Sequence, residues 1–350
     1  MNRSIPDPEA LHREVTEFQR RLAASAATLA SLPPVTLATA PRDAVYTDGK
    51  VTLFHYRSSA KPHGLPPLLI VFALVNRPTV LDLQPDRSLI RGLLQAGLDV
   101  YLLDWGYPDR GDRRTTLANY TMGYLHRAVA HIGAAHGPIN LLGVCQGGTL
   151  SLLYASLEPG RIRKLVTMVT PVDFQTPDNL LSKWVQGVDV DRLVDTFGNV
   201  PGELLNFTFL SLMPFRLTLQ KYLALVDGAD DPRELENFLR MERWIFDSPD
   251  QAGEAFREYL KWFYQENRLI RGTTVLDGRA ADLGQLSMPV LNVYATEDHL
   301  VPPSASRALG GLVGTREYEE IAFSGGHIGI YVSGRARSIP AQIAAWLGRH

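Results

Sequence analysis

The chain has 350 residues, of which 45% are hydrophobic, so it can fill one large core or a core with an insertion. Its 35 basic and 37 acidic residues give a net charge of −2, which excludes the strong global field of proteins that bind nucleic acid or anionic membranes. A single cysteine excludes an intramolecular disulfide, and the first residues lack the apolar core of a secretion signal. We therefore expect a cytoplasmic protein.

The first predicted element is an amphipathic helix between residues 8 and 32. Five apolar residues recur there at helical spacing: Leu11, Val15, Phe18, Leu22 and Leu29. Packing against the protein's own core and packing against another subunit are both consistent with this face. Prolines end the regular pattern, and residues 51–56 then alternate like an edge strand.

A continuous apolar run over residues 68–75 predicts a strand that is covered on both faces. This run is the longest in the chain and is too short to span a bilayer, so we expect no membrane span. A helix over 86–96 and a strand over 98–103 follow, and the strand leads into Asp104 and Trp105. These two residues stand where ligands bind in open α/β sheets, but capping and packing roles explain them equally well.

Strands and helices continue to alternate, with a helix over 120–135 and strands over 139–144 and 165–170. This alternation predicts a mostly parallel central sheet with helices on both faces. The alternation stops at Pro171, and aromatic-rich helical segments over 235–247 and 252–264 predict an inserted, mainly helical cap.

The alternation resumes near the C-terminus. It predicts a strand over 290–295, a helix over 305–312, a strand over 318–322 and a final helix over 339–347. The expected division of the chain is an N-terminal helical segment (1–48), the first part of the core (49–172), the cap (173–276) and the second part of the core (277–350).

The segment Gly143-Val-Cys-Gln-Gly147 joins a predicted strand to a predicted helix. A sharp turn that pushes the Cys145 side chain outward needs glycine two residues before and after it, which is the pattern of a nucleophile elbow with Cys in place of Ser. The helix N-terminus favours a thiolate and places the backbone N–H of Gln146 where an acyl oxyanion would form. In this architecture the loop after the 68–75 run supplies the second donor, so we expect Val75 and Asn76 there. An inert buried cysteine is the alternative.

Asp298 and His327 follow later strands, in the chain order of an α/β-hydrolase triad that begins with Cys145. We therefore expect the predicted sheet and cap to form an α/β-hydrolase fold. His327 would take the thiol proton, and Asp298 would fix the imidazole's tautomer and stabilise its charged form. His299 is the competing base and Glu297 the competing acid; His299 ranks lower because the triad histidine belongs to the later loop. We expect neither a metal ion nor a bound cofactor.

The choice of Cys over Ser indicates a reaction class. When a thiolate attacks a thioester, one thioester replaces another, so the acyl group stays activated for a second transfer. An alcohol can then take the acyl group downhill to an oxyester. The nucleophile therefore favours acyl transfer from a thioester to a hydroxyl over hydrolysis.

At these residues the chain resembles the polyhydroxyalkanoate synthases, whose lipase-like box carries Cys for Ser. The resemblance runs from about residue 50 to the end and rests on six segments: Phe72-Ala-Leu-Val-Asn-Arg-Pro78, Tyr101-Leu-Leu-Asp-Trp-Gly-Tyr-Pro108, Leu142-Gly-Val-Cys-Gln-Gly-Gly148, Val169-Thr-Pro-Val-Asp-Phe174, Glu297-Asp-His-Leu-Val-Pro-Pro303 and Gly325-Gly-His-Ile-Gly-Ile330. Because few residues precede the first strand, the chain resembles the short catalytic subunit of the class III type, which works with a non-catalytic companion.

The resemblance implies polymerisation of (R)-3-hydroxyacyl-CoA, chiefly short-chain such as 3-hydroxybutyryl-CoA, into a polyester with release of CoA. Cys145 would be the acylated nucleophile and His327 its base, while Asp298 would either orient His327 or help to activate the incoming 3-hydroxyl. We expect a companion subunit, a homodimer and a location at the surface of polyester granules. The alternatives are a thiol-dependent ester or lactone hydrolase on the same fold, and a non-catalytic granule-binding subunit.

Overall fold

An eight-stranded sheet forms the centre of the protein. The computed structural model describes residues 34–58, 64–215 and 231–349, with scattered positions between 9 and 23 and between 220 and 225. The described positions between 9 and 23 are helical. The predicted apolar face of this helix lies outside the described residues: Leu11, Val15, Phe18, Leu22 and Leu29.

The strands of the sheet are, in chain order, β1 (Arg42–Asp48), β2 (Val51–Tyr56), β3 (Leu68–Val71), β4 (Val100–Asp104), β5 (Ile139–Val144), β6 (Ile162–Met168), β7 (Val290–Ala295) and β8 (Tyr318–Phe323). Across the sheet they lie in the order β1-β2-β4-β3-β5-β6-β7-β8. Only β1–β2 and β2–β4 pair antiparallel, and every other neighbouring pair is parallel. The predicted α/β-hydrolase fold class is confirmed.

The edge strand is β1 and not β2, so the sequence-based interpretation of residues 51–56 was wrong. β1 hydrogen-bonds to β2 from Arg42↔Tyr56 to Asp48↔Val51, and β2 pairs with β4 on its other side. Most side chains of β1 are exposed or half-buried on both faces. The segment therefore lacks the alternation of apolar and polar residues by which strands are recognised.

Two hydrophobic clusters fill the two faces of the sheet. Along β3, Leu69 and Val71 belong to one cluster and Leu68 and Ile70 to the other, as the alternation of side chains along a strand requires. The strand itself ends at Val71, four residues before the apolar run ends. The apolar run therefore indicates which residues are buried and not which residues form the strand, because residues 72–74 are buried but lie outside it.

Helices cover both faces: Leu89–Gln95, His126–His136, Gln146–Leu157, Pro303–Arg307, Gly329–Val332 and Ile339–Leu347. The helix predicted over 120–135 opens with π-helical turns at Asn119–Leu125, and that predicted over 305–312 continues beyond Arg307 as a 3-10 helix, Ala308–Gly311. The helix predicted from residue 86 begins at Leu89, because the Ser88 side chain caps it by accepting the Arg91 N–H. None of the described helices has the length and apolar character of a membrane-spanning segment.

Short elements complete the core. The other 3-10 helices that the structure describes are Pro78–Leu81, Arg110–Arg114, Pro159–Arg161, Leu283–Gln285 and Gly334–Ser338. Two small antiparallel ladders pair Asp82–Gln84 with Arg87–Ser88 and Val275–Leu276 with Arg279–Ala280.

Between β6 and β7 the described chain is mainly helical, and we refer to residues 173–276 as the cap. Its helices are Leu180–Val185, Val190–Phe197, Gly202–Ser211, Pro232–Phe246, Gly253–Tyr259, the π-helical Leu260–Gln265 and Arg268–Arg271. Phe174 and Phe263 stack with ring centroids 5.5 Å apart and belong to the same hydrophobic cluster as the helix after Cys145. In contrast, Phe207 and Phe246 are exposed at 70% and 65%. The cap aromatics are therefore divided between the core and the surface.

Candidate active site

Cys145 lies on the turn between β5 and the helix Gln146–Leu157, which we call the elbow helix. Its φ of 53° is unusual for a residue with a side chain and marks a strained turn. The backbone is held on both sides: the Cys145 N–H donates to Met168 O at 2.9 Å, and the Cys145 carbonyl accepts the Gly148 N–H at 2.9 Å. The half-buried side chain lines a large cavity beneath the cap.

The two flanking glycines are required by close backbone approach. A Cβ on Gly147 would lie 2.2 Å from the carbonyl oxygen of Val71, and one on Gly143 would lie 2.5 Å from the Cα of Gly148. Neither neighbour is a flexible side chain that could move aside. The sequence pattern around Cys145 therefore follows from the tight packing of β3, β5 and the elbow helix.

His327 and Asp298 form a buried pair beside the elbow. His327 Nδ1 lies 2.7 Å from Asp298 Oδ2, and both residues are less than a tenth exposed. The other carboxylate oxygen, Oδ1, accepts the backbone N–H groups of Leu300 and Val301 at 2.9 Å each. With Nδ1 bound to the carboxylate, Nε2 is left for Cys145, which is close enough to His327 to raise the pKa of the ring.

The charges around His327 favour its protonated form. Burial lowers the pKa of His327, but the negative charges of Asp298 and Cys145 and the hydrogen bonds to both raise it more strongly, to about 10. An imidazolium beside the sulfur stabilises a thiolate, which is the nucleophilic form of cysteine. The structure thus brings Cys145, Asp298 and His327 together in an arrangement that can hold a thiolate–imidazolium pair.

The two competing residues, His299 and Glu297, lie in different surroundings. His299 also lines the cavity, but it is His327 that contacts the Asp298 carboxylate. Glu297 is exposed and, unlike Asp298, is not buried beside the histidine.

The three expected oxyanion donors, Val75, Asn76 and Gln146, line the cavity together with Cys145. Asn76 has a φ of 59°, which turns the backbone sharply at this point. The Gln146 side chain accepts the Leu74 N–H through Oε1 at 2.9 Å and so ties this segment to the elbow. Sequence reasoning identified Gln146 by its backbone alone and missed this contact of its side chain.

Asp104 and Trp105, for which the sequence left two roles open, contact the same segment. Asp104 Oδ2 lies 2.7 Å from Arg77 Nη2, and Trp105 Nε1 donates to the Phe72 carbonyl at 2.9 Å. These contacts give both side chains a structural role in supporting residues 72–77.

Tyr331 was not singled out by the sequence. Its ring stands perpendicular to that of His327, with centroids 6.3 Å apart, and it lines the cavity. Its buried hydroxyl has no hydrogen-bond partner among the described residues. The signal that could have found it is its position four residues after His327, one helical turn along the chain.

The cavity has a volume of about 840 Å³ and reaches from Cys145 into the cap. Apolar side chains from several cap helices line it, including Leu181, Val185, Phe209, Leu235, Met241 and Phe256. Such a lining accepts an apolar acyl or ester chain. In the parts of the chain that the structure describes, no group of three or more His, Cys, Asp or Glu side chains could hold a metal ion.

Comparisons with known proteins agree with this architecture. The sequence model of the α/β hydrolase fold matches residues 63–333. Among solved structures, a monoacylglycerol lipase of Paleococcus ferrophilus superposes with a TM-score of 0.51 at 17% identity, covering 84% of this chain and 98% of the lipase. The BpoC protein of Mycobacterium tuberculosis H37Rv gives a TM-score of 0.53 at 13% identity, covering 88% and 100%. At such identities these structures show the fold alone.

Curated sequences are much more similar. The poly(3-hydroxyalkanoate) polymerase subunit PhaC of Allochromatium vinosum is 55% identical over 345 residues, which is 97% of each chain. The subunit of the same name from Synechocystis is 51% identical over 318 residues, covering 88% of this chain and 84% of the relative. With this identity over nearly its whole length, the chain belongs to the PhaC family of poly(3-hydroxyalkanoate) polymerase subunits, which are acyltransferases on an α/β-hydrolase fold.

Proposed function

We propose that the chain polymerises (R)-3-hydroxyacyl-CoA, chiefly short-chain such as 3-hydroxybutyryl-CoA, into a polyester and releases CoA. The observation that carries this proposal is a cysteine on a strained strand-to-helix turn that lines an apolar cavity together with His327 of a buried histidine–aspartate pair. The class of polymer, a poly(3-hydroxyalkanoate), is taken from the name that the relatives share.

In the first half-reaction His327 accepts the Cys145 thiol proton, and the thiolate attacks the carbonyl carbon of the CoA thioester. The backbone N–H groups of Gln146 and of Val75 or Asn76 stabilise the oxyanion that forms. The bond from the carbonyl carbon to the CoA sulfur then breaks. The departing CoA thiolate takes the proton from His327, which leaves an acyl thioester on Cys145.

In the second half-reaction the 3-hydroxyl of an acceptor attacks the acyl group on Cys145. His327 accepts the hydroxyl proton, the new ester C–O bond forms, and the C–S bond to Cys145 breaks. The proton on His327 then returns to the cysteine sulfur. Each cycle therefore converts one thioester and one hydroxyl into one oxyester and one free thiol.

For Asp298 we favour the role of orienting His327 over direct activation of the incoming hydroxyl. One carboxylate oxygen contacts His327, the other accepts two backbone N–H groups, and the side chain is fully buried. A hydroxyl would have to displace one of these partners to reach it.

The partners and location follow from the same proposal. A non-catalytic companion subunit would assist this chain, the catalytic chain would form a homodimer, and the enzyme would work at the surface of polyester granules. The exposed aromatic rings of the cap, Phe207 and Phe246 among them, offer an apolar surface for such contacts.

The test supplies 3-hydroxybutyryl-CoA to the purified chain and measures free CoA and insoluble polyester together. We expect both products from the native chain. In Cys145→Ala we expect loss of covalent acylation with an unchanged circular dichroism spectrum, because a small half-buried side chain contributes little to packing. Release of free 3-hydroxybutyrate without polymer would instead identify a thiol-dependent hydrolase, and retained turnover in Cys145→Ala would refute the role of Cys145.

A further inference from the structure

Among the residues that the structure describes, four side chains hold residues 72–77 through backbone groups, and we call this segment the oxyanion loop. From the core, Trp105 Nε1 donates to the Phe72 carbonyl at 2.9 Å, and Gln146 Oε1 accepts the Leu74 N–H at 2.9 Å. From the cap, Gln251 Nε2 donates to the Leu74 carbonyl at 3.0 Å, and Trp244 Nε1 donates to the Arg77 carbonyl at 2.7 Å. Half of the side chains that fix this loop therefore belong to the cap.

Gln251 is built into the cap. Its backbone pairs with Val200, with N–H···O distances of 2.8 and 2.9 Å in the two directions, and Val200 is fully buried in a hydrophobic cluster of the cap. The side chain is itself buried, 4% exposed, and Nε2 also donates to the Pro249 carbonyl at 3.2 Å. The position of Nε2 is thus fixed by the cap.

The contact with the Leu74 carbonyl determines the direction of a neighbouring N–H. The carbonyl of Leu74 and the N–H of Val75 belong to one planar peptide unit, in which they point in opposite directions. By holding the carbonyl, Gln251 fixes where the Val75 N–H points. A hydrogen bond accepted by the carbonyl also polarises the peptide and strengthens its N–H as a donor.

We propose that Gln251 is a positioning residue for the oxyanion hole, so that the hole is complete only when the cap holds the place it has here. The group that this oxyanion hole would bind is the thioester carbonyl of the substrate. A cap that moves away to admit the CoA ester takes the Gln251 amide with it and frees the peptide unit between Leu74 and Val75. When the cap returned, the Val75 N–H would again be held as a donor. Cap closure would in this way be coupled to acyl transfer. This inference rests on the proposed function.

The test compares Gln251→Met with Gln265→Met. Methionine approximates the size of glutamine but has no N–H donor, and no charge is introduced. Gln265 is the matched control because its Nε2 also donates to two backbone carbonyls, those of Val185 and Val188, both within the cap. Single-turnover release of CoA from 3-hydroxybutyryl-CoA gives the acylation rate and the half-saturating substrate concentration separately.

In Gln251→Met we expect acylation to slow by about 10- to 100-fold, with little change in the half-saturating concentration, because the donor acts chiefly on the transition state. Gln265→Met should stay within about threefold of the native rate, since it leaves the oxyanion loop untouched. Trp244→Phe, which keeps a smaller aromatic ring and loses the bond to the Arg77 carbonyl, should slow the same step less. Equal losses in Gln251→Met and Gln265→Met would overturn the proposal.

Hydrogen exchange provides a readout that does not depend on the chemistry. The backbone amides of residues 72–77 should exchange faster in Gln251→Met than in the native chain or in Gln265→Met. Native-like exchange in Gln251→Met would overturn the positioning role whatever substrate the enzyme uses. Absence of CoA release from the native chain would refute the proposed function, and the exchange result would then decide this inference alone.

Discussion

Cys145, the proposed nucleophile, is held in a backbone conformation that a residue with a side chain rarely adopts. A positive φ at a residue with a Cβ costs on the order of 1–3 kcal/mol, and Cys145 has a φ of 53°. Two backbone hydrogen bonds and two glycines that admit close packing maintain it. The turn places Cys145 at the end of β5, immediately before the elbow helix, whose N-terminus carries a partial positive charge.

The role of the Asp298 carboxylate can be tested by replacing one of its oxygens with the amide nitrogen of Asn. In Asp298→Asn the charge that stabilises the imidazolium is lost, and the amide can hold the wrong tautomer of His327. We expect acylation and elongation to fall together, by about 10³- to 10⁴-fold as in comparable triads. Single-turnover CoA release and polymer formation measure the two steps.

Glu297→Gln is the control for this substitution, since Glu297 is the exposed neighbour of Asp298. It should leave both steps near the native rate. A stoichiometric burst of CoA with an acylated enzyme that fails to elongate would contradict the orienting role. It would return Asp298 to activation of the incoming hydroxyl.

Cys145, Asp298 and His327 could be proposed from sequence because chain order and glycine spacing carry their signal. The sequence left two roles open for Asp298, because the observations that bear on them are its burial and the partners of each carboxylate oxygen. Gln251 and Tyr331 could not be identified from the sequence for similar reasons. Gln251 meets Leu74 across 177 residues of sequence, and an unpaired hydroxyl is visible only in three dimensions.

At the scale of elements, the contact between β3 and the elbow helix sets the position of Cys145. A Cβ on Gly147 would meet two backbone carbonyls, those of Val71 and Phe72, at 2.2 and 2.5 Å. We expect Gly147→Ala to lower the free energy of unfolding by about 1–3 kcal/mol through overpacking. Because Phe72 begins the oxyanion loop, acylation should slow as well.

Gly133→Ala is the matched control, since Gly133 lies in the helix His126–His136 and a Cβ there meets nothing within 4 Å. This substitution should raise the free energy of unfolding by about 0.4–1 kcal/mol, because alanine loses less backbone entropy on folding. Urea unfolding of both variants measures the two effects. Equal stability of the two alanine variants would show that the elbow tolerates a side chain at position 147.

Elements with strong periodicity or a long apolar run were predicted closely, and others were not. β5, β7 and the final helix Ile339–Leu347 have the predicted bounds. β1 was missed because an exposed strand with polar residues on both faces shows no alternation. The π-helical turns of Asn119–Leu125 were missed because their wider winding leaves a pattern that a helix of ordinary period also explains.

At the scale of the whole molecule, the cap lines the cavity around Cys145 and contacts the oxyanion loop. Its helices line the cavity in which Cys145 lies, and two of its side chains fix the oxyanion loop. Under the proposed function, a bulky CoA ester must reach the sulfur and a growing polyester must leave. The state that is best arranged for acyl transfer would then be poorly arranged for exchange of substrate and product.

A companion subunit that binds the open state more tightly would relieve this conflict by shifting the population of cap positions. We expect the isolated chain to show low activity or a lag in CoA release, and the companion to raise the rate without supplying a catalytic group. The cap surface is the expected contact, so Phe207→Ser, at an exposed ring, should reduce the activation by the companion. Val45→Ser on β1, also an exposed apolar position, should not. Full, lag-free activity of the isolated chain at low concentration would contradict this view, because the cap would then open without assistance.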